Sequence, residues 1–239
     1  MPAITAKRQL SRKGRLLKFL WRICLFLISL SLLGIIAIFA ATNYPFQNNN
    51  SNYVSLPYYG TNFTTYSVVG NLTGRTYVQP KAAKTILDSY RELAQNNPKL
   101  VFKYGEAGNK AGRGFWPHRT HLNGLSVDFM TPMRDKTTGK SETLPTNLFT
   151  LWGYGIRLGP QTSYHNMEID FAAICRHLAA LNKAARANGL YLDLVIVEPP
   201  VLEALRQSPE YSKISNLPFM KGKAWFSHDG HYHVDFAPL

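Results

Sequence analysis

The chain opens with a stretch whose polarity changes abruptly. From Ile23 to Ala41 it reads ICLFLISLSLLGIIAIFAA, with no charged residue, and Arg22 stands at its start. A helix of that length spans the ~30 Å hydrocarbon core of a bilayer. Secretory signal cores are usually shorter, about 7–15 residues, and end in an A-x-A-like site. No such site precedes Thr42, so we read an uncleaved single-pass anchor over residues 23–41, with cleavage and release as the alternative. Residues 42–57, rich in Asn and Ser, read as a linker. Past it the pattern becomes that of a globular body over residues 58–239. Short Tyr- and Thr-rich runs in 58–80 predict an irregular strand pair. Helical spacing of Ala, Ile, Leu and Tyr predicts a helix from Pro80 to Asn96. KLVFKYG, LSVDFMTP, LWGYGIRLG, YLDLVIVE and HYHVDFA read as strands, DKTTGKSETLPTN as a polar turn, and PVLEALRQ as a short helix. Asn166 to Asn188 reads as a long amphipathic helix closed by Gly189. Helices and strands do not alternate as regular βαβ units, so the fold expected is α+β: a small antiparallel sheet with flanking helices, behind one N-terminal transmembrane helix.

Charge refines that picture. The net charge of +13 invites a nucleic-acid reading, but Lys7, Arg8, Arg12, Lys13, Arg15, Lys18 and Arg22 all precede the apolar run, and no acidic residue comes before Asp88. The body is only moderately basic, and no nucleic-acid partner is expected. Residues 1–22 should stay cytoplasmic under the positive-inside rule, which puts the body on the far side of the membrane. The two cysteines, Cys24 and Cys175, fall in separate regions. They exclude a disulfide framework and a Cys-rich zinc finger, so a metal here would need His and carboxylate ligands.

Such ligands occur in two places. HLNGLSVD carries His121 and Asp128, with Gly124 between them to turn the loop back. HDGHYHVDF carries His228, His231 and His233. On a strand, His231 and His233 point to the same face, as does Asp235, which could orient an imidazole. A catalytic zinc keeps three protein ligands and one open position. His121, Asp128 and one of His231 or His233 make that set, and the other histidine is then available for proton transfer.

These two stretches resemble the zinc peptidases that include lysostaphin-type enzymes, D-Ala-D-Ala peptidases and the hedgehog zinc fold. Within that group they are most similar to the penicillin-insensitive murein endopeptidases. That family also carries a histidine three residues before the first ligand, here His118, and another three before the H-x-H, here His228. LVIVEPPVLEAL is similar to the family's strand–proline–helix segment. The resemblance covers about residues 75–236, and the disulfide-forming cysteines of familiar members are missing. It implies zinc on His121, Asp128 and His233, with His231 and His228 as catalytic assistants. His118 and Arg119 are then the candidates for substrate binding. It further implies hydrolysis of peptidoglycan cross-links, at the D-Ala to diaminopimelate bond, without a serine nucleophile for β-lactams to block. Two other readings compete. A D,D-carboxypeptidase of the same superfamily commonly has Glu three residues before its last ligand, where this chain has Gly230. A non-catalytic, zinc-stabilised envelope-binding module would keep the ligands but not His228 and His231.

Overall fold

The computed structural model describes residues 12–43, 52–110, 112, 121–158, 162–224, 228 and 230–239. The chain divides into two compact units, residues 1–45 and 46–239. In the first unit one helix, α1 (Arg12–Asn43), takes in the apolar run. It is long and apolar enough to cross a membrane, a test that a signal sequence near an N-terminus also passes.

The second unit is mixed α+β. In chain order its strands are β1 (Val54–Ser55), β2 (Phe63–Thr65), β3 (Tyr77–Val78), β4 (Phe102–Tyr104), β5 (Ser126–Met130), β6 (Pro132–Asp135), β7 (Ser141–Thr143), β8 (Ser163–Tyr164), β9 (Met167–Ile169), β10 (Leu190–Ile196) and β11 (His231–Pro238). Its α-helices are α2 (Val68–Leu72), α3 (Pro80–Asn96), α4 (Phe171–Ala187) and α5 (Pro199–Arg206). Five strands form the central sheet in the order β10-β11-β5-β4-β2, and four form a second sheet in the order β7-β6-β9-β8. β1 and β3 pair apart from both.

Several expectations are corrected. The central sheet is not purely antiparallel, because β2 runs parallel to β4. The strand pair expected in 58–80 does not form: β2 pairs with β4, β3 pairs with β1, and α2 lies between them. LSVDFMTP feeds two sheets, since β5 ends at Met130 and β6 starts at Pro132. The turn-like DKTTGKSETLPTN holds β7, which makes a hairpin with β6. The helix expected from Asn166 begins only at Phe171. Met167–Ile169 pair as strand β9, and the Asp170 carboxylate caps α4 by accepting from the Ala173 N–H at 2.9 Å. LWGYGIRLG holds no strand among its described residues, 151–158. Residues 148–153 form two 3-10 pieces joined by a kink, with Leu151 at φ 47° and Trp152 at φ 57°.

Strand alternation gives the central sheet two unlike faces. On β5, Val127 and Phe129 point one way and Asp128 the other; on β11, Tyr232 and Val234 oppose His231 and His233. The apolar face is covered by α3 and α4, which pack against each other. There the His177 ring lies among Tyr90, Phe102, Phe129 and Tyr232, at centroid distances of 4.7–5.8 Å. Each fully buried aliphatic or Phe side chain of this layer contributes about 1.5–3 kcal/mol by leaving water.

His177 is wholly buried, and its Nδ1 shares a hydrogen bond of 2.7 Å with the Tyr232 hydroxyl. Burial disfavours the imidazolium and lowers its pKa to about 3. Because the folded value lies below the unfolded one, near 6.5, the unfolded chain binds the extra proton. The stability contributed is complete above about pH 6.5 and is lost as pH falls towards 3. The expected slope from this one group is about 1.4 kcal/mol per pH unit within that window. His177→Gln keeps a hydrogen-bonding partner for Tyr232 and removes the proton site. Urea midpoints followed from pH 7 to 4 should fall less steeply in that variant. Parallel curves would sink the assignment.

Candidate metal centre

The polar face of the central sheet carries the site. In the β5–β11 register His233 stands directly opposite Asp128, His231 opposite Met130, and Asp235 opposite Ser126. Directly opposed residues share a face with Cβ atoms about 4.5–5.5 Å apart. The third member comes from the loop before β5. Gly124 adopts φ +67°, which favours glycine, and that turn brings His121 back over the strand.

Candidate ligand atoms of His121, Asp128 and His233 all lie within 4.8 Å of one another. These residues are buried, with 1–2% of their surfaces exposed. His233 Nδ1 is 2.8 Å from Asp128 Oδ1, and His121 Nε2 is 3.4 Å from the same oxygen. Ligands on a tetrahedral ion with bonds of ~2.0–2.1 Å stand about 3.3 Å apart, so the donors are near the right spacing. Their chemistry also fits a borderline-soft divalent ion such as zinc. A carbonyl can only accept, so the Ala107 carbonyl fixes the His121 proton on Nδ1 and turns Nε2 towards Asp128. Asp235 Oδ1 accepts from His233 Nε2 at 2.9 Å and in turn accepts from the Ser126 hydroxyl. This is the carboxylate–histidine arrangement that orients metal-binding imidazoles. The three residues could therefore hold a metal ion.

The electrostatics point the same way. Burial would pull the His233 imidazole down, but hydrogen bonds and charge from Asp128 and Asp235 outweigh it and hold its pKa up, at about 9. Burial would raise the Asp128 carboxyl, but His121 and His233 keep it well below the usual carboxylate range. With both its nitrogens on carboxylates, His233 carries a proton that a cation would replace at Nδ1.

The other predicted site residues divide into two groups. His231 and His228 are both buried beside the triad: their rings are 4.6 Å apart, and the His228 ring is 6.4 Å from that of His233. The backbone N–H of His228 donates to Glu198 Oε2 at 2.8 Å, which ties its loop to the end of β10. His118 and Arg119 lie outside the described residues.

Two residues that pattern reading passed over border the site. Tyr154 donates its hydroxyl to Asp128 Oδ2 at 3.1 Å, and its ring stands 4.8 Å from that of His231. Enclosure of the hydroxyl, together with the Asp128 and Glu106 charges, holds its pKa well above the usual phenol value. Glu106 is itself buried and receives hydrogen bonds from Tyr66 at 3.0 Å and Arg75 at 2.8 Å. Comparison with known proteins adds no relative to this geometry: no protein-family model matches the chain, and no curated protein does.

Proposed function

We propose that this chain is a membrane-anchored zinc endopeptidase that hydrolyses peptide cross-links of peptidoglycan, at the D-Ala to diaminopimelate bond, on the periplasmic side of the inner membrane. The observation that carries the reading is the buried His121–Asp128–His233 set with two further buried histidines, His231 and His228, beside it. A non-catalytic site needs its ligands and their supports. It does not need two more buried imidazoles beside them.

His121, Asp128 and His233 would hold the zinc. When bound there, zinc polarises a scissile carbonyl and brings the pKa of a water towards neutrality. His231 shares the face of His233, two residues away, and would take the proton of the attacking water and return it to the leaving amine. His228, next to His231, donates to the developing oxyanion. Asp235 and the Ala107 carbonyl hold the rings of His233 and His121 so that these groups do not reorganise during the reaction.

The test uses full-length protein in detergent with cross-linked muropeptides and mass spectrometry of the products. Dimers should convert to monomers, stop doing so after chelation, and resume when zinc is restored. Cleavage indifferent to chelation, or no cleavage by the zinc-loaded chain, would overturn the reading.

A further inference from the structure

Tyr154 reaches Asp128 by an unusual route. Leu151 and Trp152 are both left-handed and are followed by Gly153 at φ +95°. A left-handed residue other than glycine is sterically strained, so two in succession persist only where the surroundings hold them. Backbone bonds from Trp152 to the Asn147 carbonyl and from Gly155 to the Thr150 carbonyl close this turn, and the next residue, Tyr154, reaches Asp128 from it. The Tyr154 hydroxyl accepts from the Glu106 backbone N–H at 2.9 Å and donates to Asp128 Oδ2 at 3.1 Å. Room for it depends on Gly105. A Cβ there would come within 2.6 Å of the Tyr154 hydroxyl and 2.8 Å of the Asp128 Cβ.

The two oxygens of Asp128 therefore have separate partners. Oδ1 faces His121 and His233, while Oδ2 is held by Tyr154. We propose that Tyr154 is a positioning residue for the metal centre: its hydroxyl ties up Oδ2 so that Asp128 binds through Oδ1 alone, and its ring sets the plane of His231. An Asp released from this hold can chelate an ion through both oxygens, which fills a position that a catalytic site keeps open. The Tyr154 ring, meeting that of His231 edge to face at 4.8 Å, ties the orientation of the proton-transfer group to the same anchor. The inference rests on the metal-centre reading given above.

Tyr154→Phe in the full-length chain tests it. Zinc affinity, measured by chelator competition, should fall about 10- to 100-fold, as on loss of other outer partners of metal ligands. The visible spectrum of the cobalt-substituted protein should lose intensity as the coordination number rises. Tyr66→Phe serves as control. It removes a hydroxyl from Glu106 in the same network without touching Asp128, and it should leave the cobalt spectrum unchanged. Parental zinc affinity and an unaltered cobalt spectrum in Tyr154→Phe would overturn the proposal, as would an apo-protein that no longer folds, since the hydroxyl would then serve the fold alone. A folded parent that binds neither ion would overturn the metal centre, and the role of Tyr154 with it.

Discussion

His233→Ala should leave a chain that no longer retains zinc and no longer cleaves muropeptides above the enzyme-free rate. His233 contacts Asp128 through Nδ1 and Asp235 through Nε2. Its loss removes one ligand and also leaves Asp128 buried without its closest cation. Removing one member of a buried ionic pair costs about 3–5 kcal/mol, so the variant should also unfold at lower urea. His233→Gln, which keeps polar atoms in the space, separates the two effects: its stability should recover in part while zinc retention does not. The expected fall in zinc affinity exceeds the about 100-fold that accompanies loss of an outer partner, and equilibrium dialysis with metal analysis reads it. Near-parental zinc binding in both variants would remove His233 from the ligand set.

His231→Ala should separate binding from turnover. His231 is one strand pleat from His233 and shares its face, but it is not among the three residues whose donor atoms converge. Zinc should remain near one equivalent while kcat falls about 10²- to 10⁴-fold, the usual contribution of a positioned general base. KM should change little. A variant that keeps parental kcat excludes His231 from proton transfer and leaves His228 as the candidate. If the parent binds zinc but cuts no muropeptide, the binding-module reading gains instead.

Strand alternation makes much of this site legible in the sequence. H-Y-H with Asp235 places three polar groups on one face whatever the strand pairs with, and the β5–β11 register then sets His233 opposite Asp128. That register itself could not be read, because it joins residues 105 apart and nothing local encodes it. Tyr154 was missed for a different reason. LWGYGIRLG has apolar residues at strand-like density, but Gly153 and Gly155 on either side of Tyr154 are poor strand-interior residues and mark a sharp bend. Weighting those glycines would have pointed to the turn. The late start of α4 carried its own signal too: Met167 and Ile169 alternate with period two before Asp170 supplies a helix cap. The parallel β2–β4 pair left no such trace, since three-residue strands are too short to show a period.

The separation between Asp128 and His233 also bears on how long the folded chain survives. Neither cysteine is in a disulfide, and no covalent link closes any loop. An ion gripped by His121, Asp128 and His233 would be a reversible staple across about a hundred residues. A permanent link closing a loop of that size removes roughly 4–5 kcal/mol of chain entropy from the unfolded state in the simplest treatment. A staple that can dissolve delivers its share only in proportion to ion supply. Scarcity of the ion would then leave the chain without this link, and the stability of the fold would follow the supply of the ion.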